Sequence, residues 1–382
     1  LAAMNFWTLD FLAVALMALF VLIQLFYYLF FFARLAFYRK DETVPADTPF
    51  PVSLIICAFN EEANLKKNLP LWLSQQYHKN GRPFYEVIVV NDNSEDDSFY
   101  LLNQMKEEYP HLHVVHLTQE AKLIPGKKFP LSMGIKSARF EHLLLTDADC
   151  EPAGEQWLSR MARGFEGNKT VVLGYSPYTK YPGWLNKKIR FETLLTAIQY
   201  LSYALARIPY MGVGRNLAYV KTLFNANKGF SSHHHIISGD DDLFINQVAK
   251  GKLTKVVIHP EAFTRSEPKK TNEHWRFQKR RHLSTGKYYQ RKHQFLLGLY
   301  AMSHFLFWLS IIPCILFHQW YLIAIGLFLF RWLVQFIIFE RCCKLLHEKD
   351  LVPLIWVFDL WLLFYNLANL PAILFKTNRS WK

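Results

Sequence analysis

Two aspartates one residue apart, Asp147 and Asp149 in HLLLTDADCEP, close a run of three leucines. Carboxylates at that spacing on a strand end can share a divalent ion, and Mg2+ or Mn2+ suits oxygen ligands and phosphate oxygens alike. A loop carrying two solvated acids is the competing reading, since surface Asp is the default. The buried strand ahead of the pair tips the balance toward metal. A second group, Asp240, Asp241 and Asp242, stands in ISGDDDLF. A positioned carboxylate can deprotonate an attacking alcohol, and neighbouring acids raise one pKa by like-charge repulsion. The same residues could cap a helix, which is compatible with catalysis by one of them. Asp92, ending EVIVVND, could accept hydrogen bonds from a nucleobase edge or cap the helix that follows. Lys127 and Lys128, in PGKKFPLSMGI, could neutralise phosphate or belong to a solvated loop. In HWRFQKRRH, Gln278 and Arg281 are three apart and share a helix face, which could approach a diphosphate. Lys279 and Arg280 read instead as juxtamembrane basic residues. His233, His234 and His235 lack a spaced partner and read as a mobile loop.

These acids need elements to hold them. PVSLIICAF is a β-branched, apolar run followed by EEANLKKNLPLWL, whose leucines recur at helical spacing. EVIVVND precedes the helical NSEDDSFYLLNQMKEE, HLHVVHL precedes KFPLSMGIKSAR, and HLLLTDAD is a third well-marked strand. Such alternation predicts an α/β domain, a mostly parallel sheet with helices on both faces. Ligands bind outside the carboxyl ends of such strands, so Asn60, Asp92, Asp147 and Asp149 are expected along one crevice.

Both ends of the 382-residue chain are of another kind. Phe11 to Phe32 holds Gln24 as its one clearly polar residue, and roughly 20 apolar residues suffice to span a bilayer. A cleaved signal peptide would carry a basic start, a shorter apolar run and a small-residue cleavage site, and none is present. Further apolar runs cover Phe295 to Phe317, Trp320 to Phe339 and Leu351 to Phe375, the last interrupted by Asp359 and Pro371. The expected organisation is a transmembrane helix in 1–40, a cytoplasmic domain with interfacial helices in 41–292, and a membrane region in 293–382. That region has two spanning helices and a third segment that spans or is re-entrant. Arg34, Arg39 and Lys40, then Lys287, Arg291 and Lys292, and then Arg341, Lys344 and Lys349 place the central domain in the cytoplasm by the positive-inside rule. The link His318 to Gln319 suits the opposite side, whereas a full last span would put Lys376, Arg379 and Lys382 outside. Asp359 in hydrocarbon is costly unless paired or solvated.

The formal charge of +13 does not point to nucleic acid, because much of it lies between Arg265 and Lys292, beside the membrane, where anionic lipid explains it better. Five cysteines without metal-ligand spacing predict neither zinc nor disulfides in a reducing compartment, with Cys57 in a core strand. GWLNKKIRFETLLTAIQYLSYALA is expected either to lie at the membrane surface or to pack on the domain.

Taken in order, SLIICAFNEEANL, VVNDNSEDD, GKKFPLSMGI, LLTDADC, GVGRNLAYVK, KGFSSHHHIISGDDDLF and QKRRH resemble the membrane-embedded family 2 glycosyltransferases with a GT-A catalytic domain. The resemblance implies a nucleotide-sugar donor held by Asn60, Glu61, Asp92, Lys128, Asp147, Asp149, Gln278 and Arg281. Asp92 would recognise the base, Asp149 would engage the metal with Asp147 contacting the donor, and the nucleotide would be a uridine one. It further implies Asp241 as catalytic base with Asp240 beside it, and an acceptor side at Asn216 and His282. The family signature has Trp where His282 stands, and imidazole offers a smaller stacking face than indole. That departure and the small number of membrane segments favour one sugar added to a lipid or lipid-linked acceptor, at a membrane taken as the bacterial inner one. The rivals are a processive polysaccharide synthase and a noncatalytic nucleotide-binding subunit.

Overall fold

The computed structural model describes residues 6–39, 50–118, 126–316 and 320–374, with side chains from 9 to 369 within those ranges. The link His318 to Gln319, Lys40, Pro371 as a side chain, and the charges at Lys376, Arg379 and Lys382 lie outside the described part.

Seven strands form the central sheet: β1 (Val52–Ala58), β2 (Tyr85–Asp92), β3 (Leu112–Leu117), β4 (His142–Asp147), β5 (Val171–Leu173), β6 (Leu217–Val220) and β7 (Thr254–Val256). Their order is β7-β5-β6-β4-β1-β2-β3. β4, β1, β2 and β3 are mutually parallel, while β6 runs antiparallel to both neighbours. A parallel sheet is buried on both faces, which is why these strands read as unbroken apolar runs. Alternation still sorts the side chains. Leu54, Ile56, Val87, Val89 and Leu144 face one layer, and Ile55, Ile88, Val90, Leu143 and Leu145 the other.

The first face is covered by α2 (Glu62–Leu73) and α3 (Ser98–Glu108), through Leu65, Leu69, Trp72 and Leu102. On the second lie α4 (Lys128–Ser137) and the long α5 (Trp184–Leu205). Gly134 of α4 lets that helix settle on the sheet, since an added Cβ would sit 2.7 Å from Ile55 Cγ2. α5 is thus the packed helix of the two alternatives, with Phe191, Leu194, Ile198 and Leu201 all buried.

That second layer continues into the membrane region without a break. α1 (Phe6–Phe26) runs on through a π-helical stretch, Tyr27–Phe32, and a last turn, Ala33–Ala36. There Phe31 stacks on Tyr203 of α5 with ring centroids 4.4 Å apart. α6 (Asp242–Val248) precedes the last strand of the sheet, and after it come α7 (Asn272–Leu283), α8 (Arg291–Leu316), α9 (Tyr321–Leu345) and α10 (Ile355–Leu374). Among the described residues, four segments are long and apolar enough to cross a membrane: Leu9–Ala36, Arg291–Leu316, Tyr321–Leu345 and Lys349–Asn369. Glu348, just before the last of these, and Asp350, at its start, grip the buried Arg190 of α5, with Nε 2.9 Å from Glu348 Oε2 and Nη1 2.8 Å from Asp350 Oδ2. Asp359 is paired within the helices: Arg331 donates to both its oxygens, at 2.6 and 3.0 Å.

Candidate active site

At the carboxyl edge of the sheet opens a cavity of about 700 Å³. Its lining includes Asp147 and Asp149, Asp240 and Asp241, and Leu297, Gly298 and Ala301 of the apolar helix α8. β4 delivers Asp147, whose Cα is in register with Cys57 of β1, and the turn after the strand delivers Asp149. Asp147, Asp149 and Cys150 bring potential ligand atoms within 4.8 Å of one another. The Cys150 thiol is soft and points its weak hydrogen bond at Asp149 Oδ1, 3.5 Å away, so the hard donors are the two carboxylates. Asp147 already holds a cation, the Lys127 ammonium. Burial works against charge on Asp147, yet Lys127 with Arg215 and Arg281 keeps its carboxyl below the ordinary range. Asp149 is pushed upward by burial and by the charge of Asp147. Two half-buried oxygen donors that attract positive charge fit a divalent ion.

Across the cavity, Asp241 caps α6. Its Oδ1 accepts from the amide of Asp242 at 2.7 Å and its Oδ2 from that of Gly214 at 2.8 Å. A Cβ on Gly214 would lie 3.3 Å from Oδ2, so glycine permits this close approach. Burial and the carboxylates of Asp240 and Asp242 push Asp241 up to about 8, as expected of a base poised near neutral pH. Asp242, which also borders the cavity, accepts from Thr285 and from the Tyr289 hydroxyl, 2.7 Å away, which ties α6 to the segment that leads into the apolar helix α8. The run of three acids therefore combines both sequence readings: one residue tethers, one caps and faces the cavity, and Asp240 lines the wall.

Gln278, Arg281 and His282 of α7 all line the cavity, so the shared helix face is formed. Burial and the cations Lys279, Arg281, Arg215 and Lys269 hold the His282 imidazole far below its usual pKa, hence neutral.

Other expectations are corrected. Lys128 does not face the cavity: it is fully buried, and its ammonium donates to the carbonyls of His233 (2.7 Å), Ile236 (2.5 Å) and Ser238 (2.8 Å). Lys127 faces Asp147 instead. Asn216 is also structural, its amide donating to the Tyr175 and Ala262 carbonyls at 2.8 Å each, while its neighbour Arg215 lines the cavity. Lys279 is no solvated juxtamembrane residue but a buried partner of Glu192 on α5. His233 is buried, whereas His234 and His235 are exposed. Asn60, Glu61 and Asp92 stand at the carboxyl edge of the sheet outside the cavity walls. Asn60, at φ 54°, bridges to the next strand's loop, accepting from Glu95 N at 2.8 Å, and Glu61 accepts from Asn64. Arg215, Lys269 and the Glu192–Lys279 pair are cavity residues that pattern alone did not single out for the site. Arg215 sits inside the quoted GVGRN, one position from the residue chosen.

A mixed, largely parallel sheet with an acid pair at its carboxyl edge and Asp241 lining the same cavity is the arrangement of a GT-A fold. Residues 53–226 match the profile of glycosyl transferase family 2. It is 31% identical over 145 residues to glycosyltransferase AglE of Haloferax volcanii, covering 38% of this chain and 45% of that one. To the beta-monoglucosyldiacylglycerol synthase of Nostoc sp. it is 33% identical over 127 residues, 33% of this chain and 25% of the relative. The chain thus spans less than half the length of these curated relatives. Among solved structures it superposes on the mannosyltransferase PcManGT from Pyrobaculum calidifontis, in complex with GDP-Man and Mn2+, with a TM-score of 0.58. That match has 17% identity and covers 92% of this chain and 99% of the other, a likeness of fold.

Proposed function

We propose that the protein is an inverting glycosyltransferase that moves one sugar from a nucleotide-sugar donor, a UDP-sugar in the first instance, to a lipid or lipid-linked acceptor. The observation that carries this reading is one cavity lined together by Asp147, Asp149, Gln278 and Arg281, by Asp241, and by Leu297, Gly298 and Ala301 of a helix long and apolar enough to span a membrane. Asp147 and Asp149 would hold Mg2+ or Mn2+, which supplies positive charge to the donor diphosphate. Lys127, Arg215, Lys269, Gln278 and Arg281 surround the same place with cations and donors, so charge building on the leaving group meets fixed positive partners. Asp241 takes the proton of the acceptor hydroxyl as its oxygen attacks the anomeric carbon and the bond to the diphosphate breaks; one displacement inverts the centre. The basic residues at the membrane-proximal ends support a cytoplasmic catalytic domain at a bacterial inner membrane.

The test is a panel of UDP- and GDP-sugars incubated with the purified protein, total lipid extract and Mg2+ or Mn2+, with products read by mass spectrometry. The expected product is a lipid carrying one added sugar, absent in excess chelator. Long homopolymers would establish a processive synthase instead, and no product from any donor would overturn the catalytic reading.

A further inference from the structure

Of the 12 residues of α7, which brings Gln278, Arg281 and His282 to the cavity, only Trp275 and Lys279 are buried. His274, Arg276, Phe277 and Arg280 are exposed. A helix with so little of its surface packed takes its position from those two side chains. They lie one turn apart on one face, yet they reach different helices. Lys279 pairs with Glu192 of α5. Trp275 stacks on Trp361 and Tyr365 of α10, with ring centroids 6.2 and 5.8 Å away and planes inclined by 24° and 25°. Neither Trp275 Nε1 nor the Tyr365 hydroxyl has a hydrogen-bond partner among the described residues, so ring faces alone make this contact. Phe358, on the same helix α10, serves α5 instead, stacking on Phe191 at 4.4 Å and on Trp184 at 5.5 Å, and makes no ring contact to α7 among the described residues.

Resting on the proposed donor contacts of Gln278 and Arg281, we infer that Trp361 and Tyr365 are positioning residues for sugar transfer: their rings fix the rotation of α7 and so the places of the Gln278 amide and the Arg281 guanidinium. The Lys279–Glu192 pair joins two long, jointed side chains, which follow a rolling helix; a stacked indole does not. With a helix radius of about 5–6 Å, a roll of about 20° carries a side-chain tip by roughly 2 Å, enough to break a hydrogen bond. The last apolar segment, Lys349–Asn369, thereby takes part in donor binding although no described residue of it lines the cavity. Tyr178 extends the same link, since it belongs to the small apolar cluster around Trp275 and carries the Arg215 guanidinium 4.3 Å over its ring.

The experiment titrates the full-length protein in detergent with UDP and, in parallel, GDP, each with Mn2+, by calorimetry, and records the melting temperature, donor KM and kcat of the same preparations. Trp361→Ala is expected to weaken nucleotide binding and raise donor KM by about tenfold, with kcat changed by less than about threefold. Trp361→Leu is read in the same way should alanine cost the fold. Trp361→Phe, which keeps a ring on Trp275, is expected to recover most of the affinity. Phe358→Ala removes a buried ring from the same helix and is expected to lower the melting temperature while nucleotide affinity stays within about twofold of wild type. Wild-type affinity in the alanine or leucine variant, no recovery with phenylalanine, or an equal loss of affinity in Phe358→Ala overturns the inference and leaves sugar transfer standing. No binding of either nucleotide by folded wild type overturns both.

Discussion

One cluster of buried charge lies at the sheet edge and another among the apolar helices. In the second, Asp359 of α10 accepts from Arg331 of α9, from Gln335 at 2.8 Å, and shares a hydrogen bond with His304 of α8 at 3.0 Å. Arg331 also donates to Gln24 of α1 at 2.9 and 2.7 Å and lies 4.5 Å over the Phe307 ring. One acid is thereby matched by one guanidinium and a ring of polar partners, drawn from all four apolar segments and closed to solvent. At the sheet edge the acids outnumber their partners. Asp240 and Asp241 face a cavity, and Asp241 is held by backbone amides that carry no compensating charge. A satisfied cluster holds helices together; an unsatisfied one is poised to take a proton or bind a ligand.

The largest expected effect separates the two by function. Asp241→Asn keeps the shape, retains one of the two amide contacts on its single oxygen and cannot accept a proton, so turnover should fall by about 10²- to 10⁴-fold. Donor affinity, measured by calorimetry, should stay within a few-fold. Near-normal turnover would remove Asp241 from the base role and reduce its cluster to a helix cap.

The converse substitution attacks the membrane cluster. Asp359→Leu strands the Arg331 guanidinium, and breaking a buried pair in this way costs about 3–5 kcal/mol. The readout is the melting temperature in detergent, expected to drop steeply, while turnover per folded molecule persists. Restoring an apolar match with Arg331→Met in the same chain should recover most of the loss. An unchanged melting temperature in the single variant would mean that the pair ties nothing.

How far these clusters could be read in advance follows from the range of the contacts. The strands were legible because doubly buried parallel strands are continuous apolar runs, and the acids at their ends follow from strand polarity. Asp359 announced itself as a charge in an apolar stretch, but its partners Arg331 and Gln24 lie in other helices, and Arg331 and Gln24 are 307 residues apart in the chain. Lys279 was misplaced for the same reason, since Glu192 belongs to a distant helix. Lys127 and Lys128 failed on a shorter scale. Adjacent residues at a helix start point about 100° apart, and only the position of the 233–238 loop decides which one is buried. Asn216 and Arg215 share a single turn, where nothing local separates an inward amide from an outward guanidinium.

A smaller effect sharpens what makes the sheet-edge cluster unsatisfied. Asp241 works only when ionised, and its folded pKa is raised to about 8 by burial and by its acidic neighbours. Protonation therefore removes activity as pH falls through that value, and kcat/KM should drop about tenfold per pH unit on the acid side. An ordinary carboxylate would place this limb near pH 4. Asp240→Asn deletes one of the repelling charges, so the limb should move to lower pH by something of order one unit. The position of the limb, not the height of the plateau, is the informative quantity, because a merely structural role for Asp240 would lower the plateau and leave the limb where it was. If the limb stays fixed, burial alone sets the basicity of Asp241, and the second acid serves the acceptor rather than the base.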